Sequence, residues 1–184
     1  FVVVTDYLTP TTLSRLDLAQ AETAPAAPSP VKQAPAFFDA SGMRVEQRFA
    51  TSADGTRVPY FLVLPADADD VSRETALPTL LYGYGGFEIS LTPHYAPDVG
   101  RCWLARGGAY AVANIRGGGE YGPRWHRAAL KADRHKAFED FAAVAADLVA
   151  SGVTTPRQLG IQGGSNGGLL VGNMITRYPD HFAA

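Results

Sequence analysis

An open α/β sheet, entered from the end of an all-β unit, is the fold class that this sequence predicts. Three observations carry the prediction. From about residue 45 onward, short apolar runs of strand length alternate with helical periodicities. Three of those runs end in glycine clusters, at 83–86, 117–119 and 163–168. The first 18 residues hold only two short strand-like segments, 1–5 and 13–18, separated by a Thr/Pro turn. Strand, helix, strand, helix in that order argues for a doubly wound domain, and in such sheets the ligand crevice lies at the carboxyl ends of the strands. The three glycine-ended loops are therefore expected to converge on one site.

The elements follow in order. Residues 24–35 shift to Ala, Pro and Ser, with prolines at 25, 28, 30 and 35, and are expected to form an extended connector outside any sheet. Residues 45–51 and 57–64 flank the turn signal Ser52-Ala53-Asp54-Gly55-Thr56 and read as a β-hairpin. Residues 67–75 read as a polar loop, and 78–82 as a buried parallel strand. A short helix is expected within 97–106 and another buried strand over 109–115. Phe138, Phe141, Ala145, Leu148 and Val149 recur at helical spacing within 134–151, with Gly152 as the stop. Residues 159–162 form the next strand, and 166–178 a helix closed by Pro179.

With 184 residues, 46% hydrophobic and 18% charged, the chain has ordinary globular composition and enough length for one buried core. A net charge of -2 with dispersed Lys and Arg gives no electrostatic reason to expect nucleic acid or an anionic membrane as partner, and no apolar run is long enough to span a bilayer. The single cysteine, Cys102, cannot form a disulfide within the chain and is expected in core packing. The chain begins at Phe1 rather than Met and stops at Ala184 in an apolar stretch, so it is expected to be an excerpt of a longer polypeptide, whose location it does not reveal.

The chemistry is concentrated in residues 163–168. Gly163-x-Ser165-x-Gly167 between two apolar runs fits the nucleophile elbow of serine hydrolases, where a strained serine stands at the tip of a strand–turn–helix. An ordinary glycine-rich turn fits the bare motif as well, and the convergence of three glycine loops favours the elbow. Gly117-x-Gly119-x-x-Gly122 formally matches a dinucleotide fingerprint, but the strand that follows ends at Gln162-Gly163 where an acidic residue is required, so a close-packed turn is the better account.

Serine catalysis needs oxyanion donors, a general base and an acid to orient it. The backbone N–H of Asn166 is one candidate donor. The hydroxyl of Tyr84, between glycines at a strand end, is another, with packing under the loop as its equal alternative. No base is found. His126 and His135 lie in charged surroundings and are expected to face solvent, as are Glu139 and Asp140 on the long helix. His181 and Asp180 lie past the end of the helix that starts at the serine, roughly 20 Å away at the α-helical rise.

The combination of Leu81-Tyr82-Gly83-Tyr84-Gly85-Gly86-Phe87, the run 114–122 with Trp125-His126, and Gly163-Gly164-Ser165-Asn166-Gly167-Gly168 resembles the prolyl oligopeptidase family of serine peptidases, in order and spacing from about residue 37 to 184. The resemblance implies an α/β-hydrolase domain coupled to a β-propeller that restricts entry to short peptides. Residues 1–40 would then be the terminal propeller strands plus the Ala/Pro linker, and 41–184 the N-terminal part of an incomplete α/β-hydrolase domain. It implies Ser165 as nucleophile, Asn166 and Tyr84 as oxyanion donors, and Phe87 as an aromatic on the substrate side. The family's Asp and His would lie beyond Ala184, as would most of its proline pocket. The partners implied are short peptide substrates and the remainder of the parent chain, with no cofactor and no metal. Ser165-Asn166-Gly167-Gly168 and Asn114-Ile115-Arg116 stand where oligopeptidase B usually has Ser-Ala-Gly-Gly and His-Ile-Arg, which favours the prolyl branch. An acylaminoacyl peptidase or esterase, and a non-catalytic binding protein of the same fold, remain the rival readings.

Overall fold

The computed structural model describes residues 1–18, 27–66, 68 and 75–184. Strands β1 (Val2–Val4), β2 (Thr12–Arg15) and β3 (Ser29–Gln33) form an antiparallel sheet in that order. Strands β4 (Arg44–Thr51), β5 (Arg57–Leu64), β6 (Thr79–Gly83), β7 (Ala109–Ala113) and β8 (Leu159–Gln162) form a second sheet, ordered β4-β5-β7-β6-β8. Its helices are α1 (Pro97–Cys102), α2 (Pro123–Arg127), α3 (His135–Ala150) and α4 (Asn166–Arg177). The α/β class expected from the sequence is the one found. The expected polar loop at 67–75 falls mostly outside the described residues.

Period-two alternation puts different residues on the two faces of the larger sheet. Val58, Tyr60, Leu62 and Leu64 of β5, Leu81 of β6, and Ala109, Ala111 and Ala113 of β7 share a core with Phe141, Val144 and Leu148 of α3 and with Leu170 and Met174 of α4. The three alanines leave room for the phenylalanines of α3 on that face. Phe61, Leu80, Tyr82, Tyr110 and Val112 point to the other face, where Tyr7, Phe38 and Trp103 cover them. Tyr7 sits in a turn whose N–H groups, from Leu8 and Thr9, donate to Asp6 Oδ1 at 2.7 and 2.6 Å. Its ring lies 5.7 Å from that of Phe61 and 6.3 Å from that of Tyr110. The N-terminal segment is thus packed into the α/β body.

Strands β7, β6 and β8 are mutually parallel, so the chain leaves all three at one edge of the sheet. β5 runs antiparallel to β7 and extends the sheet away from that group. The outer side of β8 carries backbone bonds as well, from Ile161 N–H to Ala184 and from Ala183 N–H to Leu159, both 2.9 Å.

Two expectations are corrected here. Within the Ala/Pro-rich stretch 24–35, Ser29–Gln33 is a strand and not a connector. Its proline is tolerated because β3 is fully exposed and Pro30 pairs with Ser14 where the register shifts between Leu13 and Ser14, an edge and a bulge that need no ladder N–H. Cys102 is exposed and not in the core. In the helical stretch around it, Gly100 and Leu104 are the buried positions, with Gly100 against the Phe38 ring, which turns Cys102 outward.

Candidate active site

Ser165 joins β8 to α4 with φ 54° and ψ −116°, a conformation that L-residues with a side chain rarely occupy. Two neighbours have to be glycine for the turn to close. A Cβ on Gly163 would overlap the Gly167 carbonyl, and one on Gly167 would stand 2.6 Å from the Gly83 carbonyl oxygen. The serine side chain makes no capping bond to the helix it precedes, and the residue is exposed. Its hydroxyl is left free at the tip of the turn.

Asn166 opens α4, so its N–H belongs to the first-turn donors that have no intrahelical acceptor. Its side chain points to the neighbouring loop. Nδ2 donates to the Tyr84 carbonyl, and Oδ1 accepts from Arg134 Nη2 at 3.2 Å. The loop after β6 also needs glycine where it meets this amide, because a Cβ on Gly86 would lie 2.7 Å from Asn166 Cγ. Tyr84 is half-buried, and Phe87 is 74% exposed on a left-handed backbone with φ 54°, followed by Glu88 at φ 57°.

The third glycine loop completes the convergence. Gly117, at φ +94°, packs its Cα against the Gly85 carbonyl so closely that no Cβ would fit, and Gly119 does the same against Glu88. Backbone bonds from Glu88 N–H to Gly117 (3.3 Å) and from Gly119 N–H to Ile89 (3.2 Å) knit the two loops. The dinucleotide-like glycine spacing is accounted for by this packing.

Beneath the third loop lies a buried ionic cluster. Arg116 is 4% exposed and Asp140 0%. Asp140 accepts the Arg116 N–H (3.0 Å), Nε (2.9 Å) and Nη2 (2.6 Å), and the Ser52 hydroxyl (2.6 Å). Arg116 Nη1 also donates to Asp54 Oδ2 at 2.6 Å. Burial alone pulls the Arg116 guanidinium down, but its bonds to Asp140 and Asp54 more than offset this and hold it above its usual value. Those same bonds from Arg116 hold the Asp54 carboxyl well below the usual carboxylate range.

The solvated face expected for Asp140 is therefore wrong. The residue lies on the sheet side of α3, where Arg116 is its partner. His126 is also half-buried instead of solvent-facing, because α2 tucks it between two loops, with Nδ1 2.7 Å from the Gly117 carbonyl oxygen and 3.1 Å from the Glu88 nitrogen. His181 sits in the turn Pro179–His181 after α4, its ring against Tyr178 and Phe182. The structure thus brings the Asn166 side chain and the Tyr84 backbone into contact at the elbow of Ser165, places Phe87 on the adjoining loop, and adds Arg134.

A family model described as the prolyl oligopeptidase family matches residues 98–184. An uncharacterized peptidase of Sinorhizobium fredii is 49% identical over 180 residues, which is 98% of this chain and 24% of that protein. The prolyl endopeptidase of Elizabethkingia miricola is 40% identical over 177 residues, 96% of this chain and 24% of that protein. The solved structure of a post-proline cleaving enzyme from Rickettsia typhi superposes with a TM-score of 0.84 at 37% identity, covering 98% of this chain and 25% of that one. The chain belongs to the prolyl oligopeptidase family. It spans about a quarter of the length of these relatives. Within the prolyl oligopeptidase architecture, the larger sheet is the α/β-hydrolase part.

Arg134 and the Arg116–Asp140 pair were missed by reading the sequence. Arg134 had a usable signal: with His135 and Lys136 it puts basic residues at the N-terminus of α3, where the helix dipole disfavours cations. Placement there needs a tertiary reason. Arg116 and Asp140, 24 residues apart in the loop after β7 and on α3, had none.

Proposed function

We propose that the protein carrying this chain is a serine-type oligopeptidase that hydrolyses short peptides on the carboxyl side of proline, through an acyl-enzyme on Ser165. The observation that carries this reading is the strained backbone of Ser165, which costs on the order of 1–3 kcal/mol and leaves the hydroxyl uncommitted. The names of the relatives, prolyl endopeptidase and post-proline cleaving enzyme, support the peptide class and the proline preference.

In this mechanism Ser165 Oγ attacks the scissile carbonyl carbon while a general base takes its proton. The base and its orienting acid come from a part of the parent chain beyond these residues. The carbonyl oxygen becomes an oxyanion held by the Asn166 N–H and the Tyr84 hydroxyl. The C–N bond then breaks as the base returns its proton to the departing amine, and water hydrolyses the acyl-enzyme by the same steps. Phe87, an exposed aromatic on a fixed loop, contacts the peptide. In domain terms, residues 1–40 complete the propeller and its link, and 41–184 begin the catalytic domain.

The test is made in the full-length parent. A fluorophosphonate probe should label wild type and not Ser165→Ala, and a Pro-linked reporter peptide should be cleaved faster than ester, blocked-amino-acid or Arg-linked reporters. Preference for an ester or a blocked amino acid would point to the rival hydrolases. Absence of labelling would point to a binding protein that kept the fold.

A further inference from the structure

The guanidinium of Arg134 lies where the three glycine loops meet. Nη1 donates to the Gly85 carbonyl of the first loop, and a Cβ on Gly117 of the third would come within 3.0 Å of that nitrogen. Nη2 donates to Asn166 Oδ1 of the elbow at 3.2 Å. Among the described residues no carboxylate pairs with Arg134, and its guanidinium carbon lies 5.4 Å from the centre of the Phe138 ring. It is half-buried, and desolvation lowers its pKa. Both its acceptors are neutral oxygens.

This arrangement fixes an amide that could otherwise flip. Arginine only donates, so the atom facing Arg134 has to be the Asn166 oxygen, and Nδ2 is thereby turned to the Tyr84 carbonyl. One planar fork then holds the backbone on both sides of the Tyr84 peptide: the Gly85 carbonyl directly, and the Tyr84 carbonyl through Asn166. The two groups so tied, Tyr84 and the first residue of α4, are the two oxyanion donors of the proposed mechanism.

We propose that Arg134 is a positioning residue for the oxyanion hole, setting the distance between the Tyr84 hydroxyl and the Asn166 N–H through the Asn166 side chain and the Gly85 carbonyl. The inference rests on the serine-peptidase reading. A lysine at 134 keeps the charge but offers no rigid fork, so it cannot reproduce two acceptors in fixed geometry. Small displacements of preorganised donors are costly because donors act only within about 2.7–3.1 Å of the developing oxyanion.

The experiment is a double-mutant cycle in the full-length parent, with kcat and KM measured on a Pro-linked reporter and rates normalised to fluorophosphonate-titrated sites. Arg134→Met should lower kcat about ten- to hundredfold with KM nearly unchanged. Arg134→Lys should fall between it and wild type. In a Tyr84→Phe background the same Arg134→Met change should cost less than about threefold, since the donor it positions is gone. Independent, multiplying effects of the two substitutions would overturn the proposal, as would a wild-type kcat in Arg134→Met. Should Arg134→Met fail to fold, the Arg134→Lys arm decides alone: wild-type kcat overturns the proposal and about a tenfold loss that shrinks in Tyr84→Phe supports it. A wild type that neither labels nor hydrolyses would instead overturn the serine-peptidase reading, and this inference with it.

Discussion

Two arginines 18 positions apart, Arg116 and Arg134, occupy opposite electrostatic situations within one loop cluster. Arg116 is enclosed and shared between two carboxylates, one of which also takes its backbone N–H. Arg134 is half-open and, among the described residues, bonded only to a carbonyl and an amide oxygen. Enclosed charges with full complements of partners hold elements at fixed distances. A cation whose acceptors are neutral keeps its charge available and depends on geometry alone. The first arrangement anchors the hairpin turn, β7 and α3 to each other; the second reaches up to the site those elements support.

The contrast makes Arg116→Met the most damaging substitution. Removing the guanidinium leaves Asp140 buried without its counter-charge, and the parent protein is expected to lose about 3–5 kcal/mol in chemical denaturation. Replacing Asp140 with Leu at the same time should recover much of the loss. If Arg116→Met cost no more than a surface mutation, the distinction between the two arginines would collapse.

Gly86→Ala probes the other side. The added methyl would press on Asn166 Cγ and push the amide off its two partners, so kcat should fall about tenfold while the melting temperature moves by only a few degrees. A stability loss as large as that of Arg116→Met would show the Asn166 link to be structural instead.

Acid should distinguish the clusters least. Asp54 is held below its unfolded value of about 3.9, so its contribution is fully present above that pH and is lost as pH falls through the folded value. With 39% of its side chain exposed, the effect is expected to stay below about 1 kcal/mol. Denaturation curves of wild type and Asp54→Asn should therefore converge only below about pH 4; a difference that persists unchanged at pH 2 would remove Asp54 from the cluster.

These comparisons also show which parts of the molecule could be read from sequence. Apolar runs ending in glycine identified β6, β7 and β8 and the edge where their loops meet, because burial on both faces and tight turns leave local compositional traces. Ser165 left such a trace for the same reason. Pro30 argued against a strand, since the rule against proline in a ladder says nothing about an exposed strand paired at a bulge. Asp140 argued for solvent because charge is the usual mark of an outer face, and the partner that reverses this preference is an arginine of the loop after β7, brought near only by folding. Asn166 entered the sequence reading only through its backbone N–H, whereas its side-chain contacts depend on a loop 82 residues earlier.

The backbone of Ser165 has an evolutionary consequence. Of the twenty residues, glycine alone would relax at φ 54°, ψ −116°, and it is also the residue that deletes the hydroxyl. Selection for robustness and selection for reactivity therefore pull on this codon in opposite directions. On the function proposed above, a lineage released from the need for a reactive serine would gain stability by the very change that silences the site.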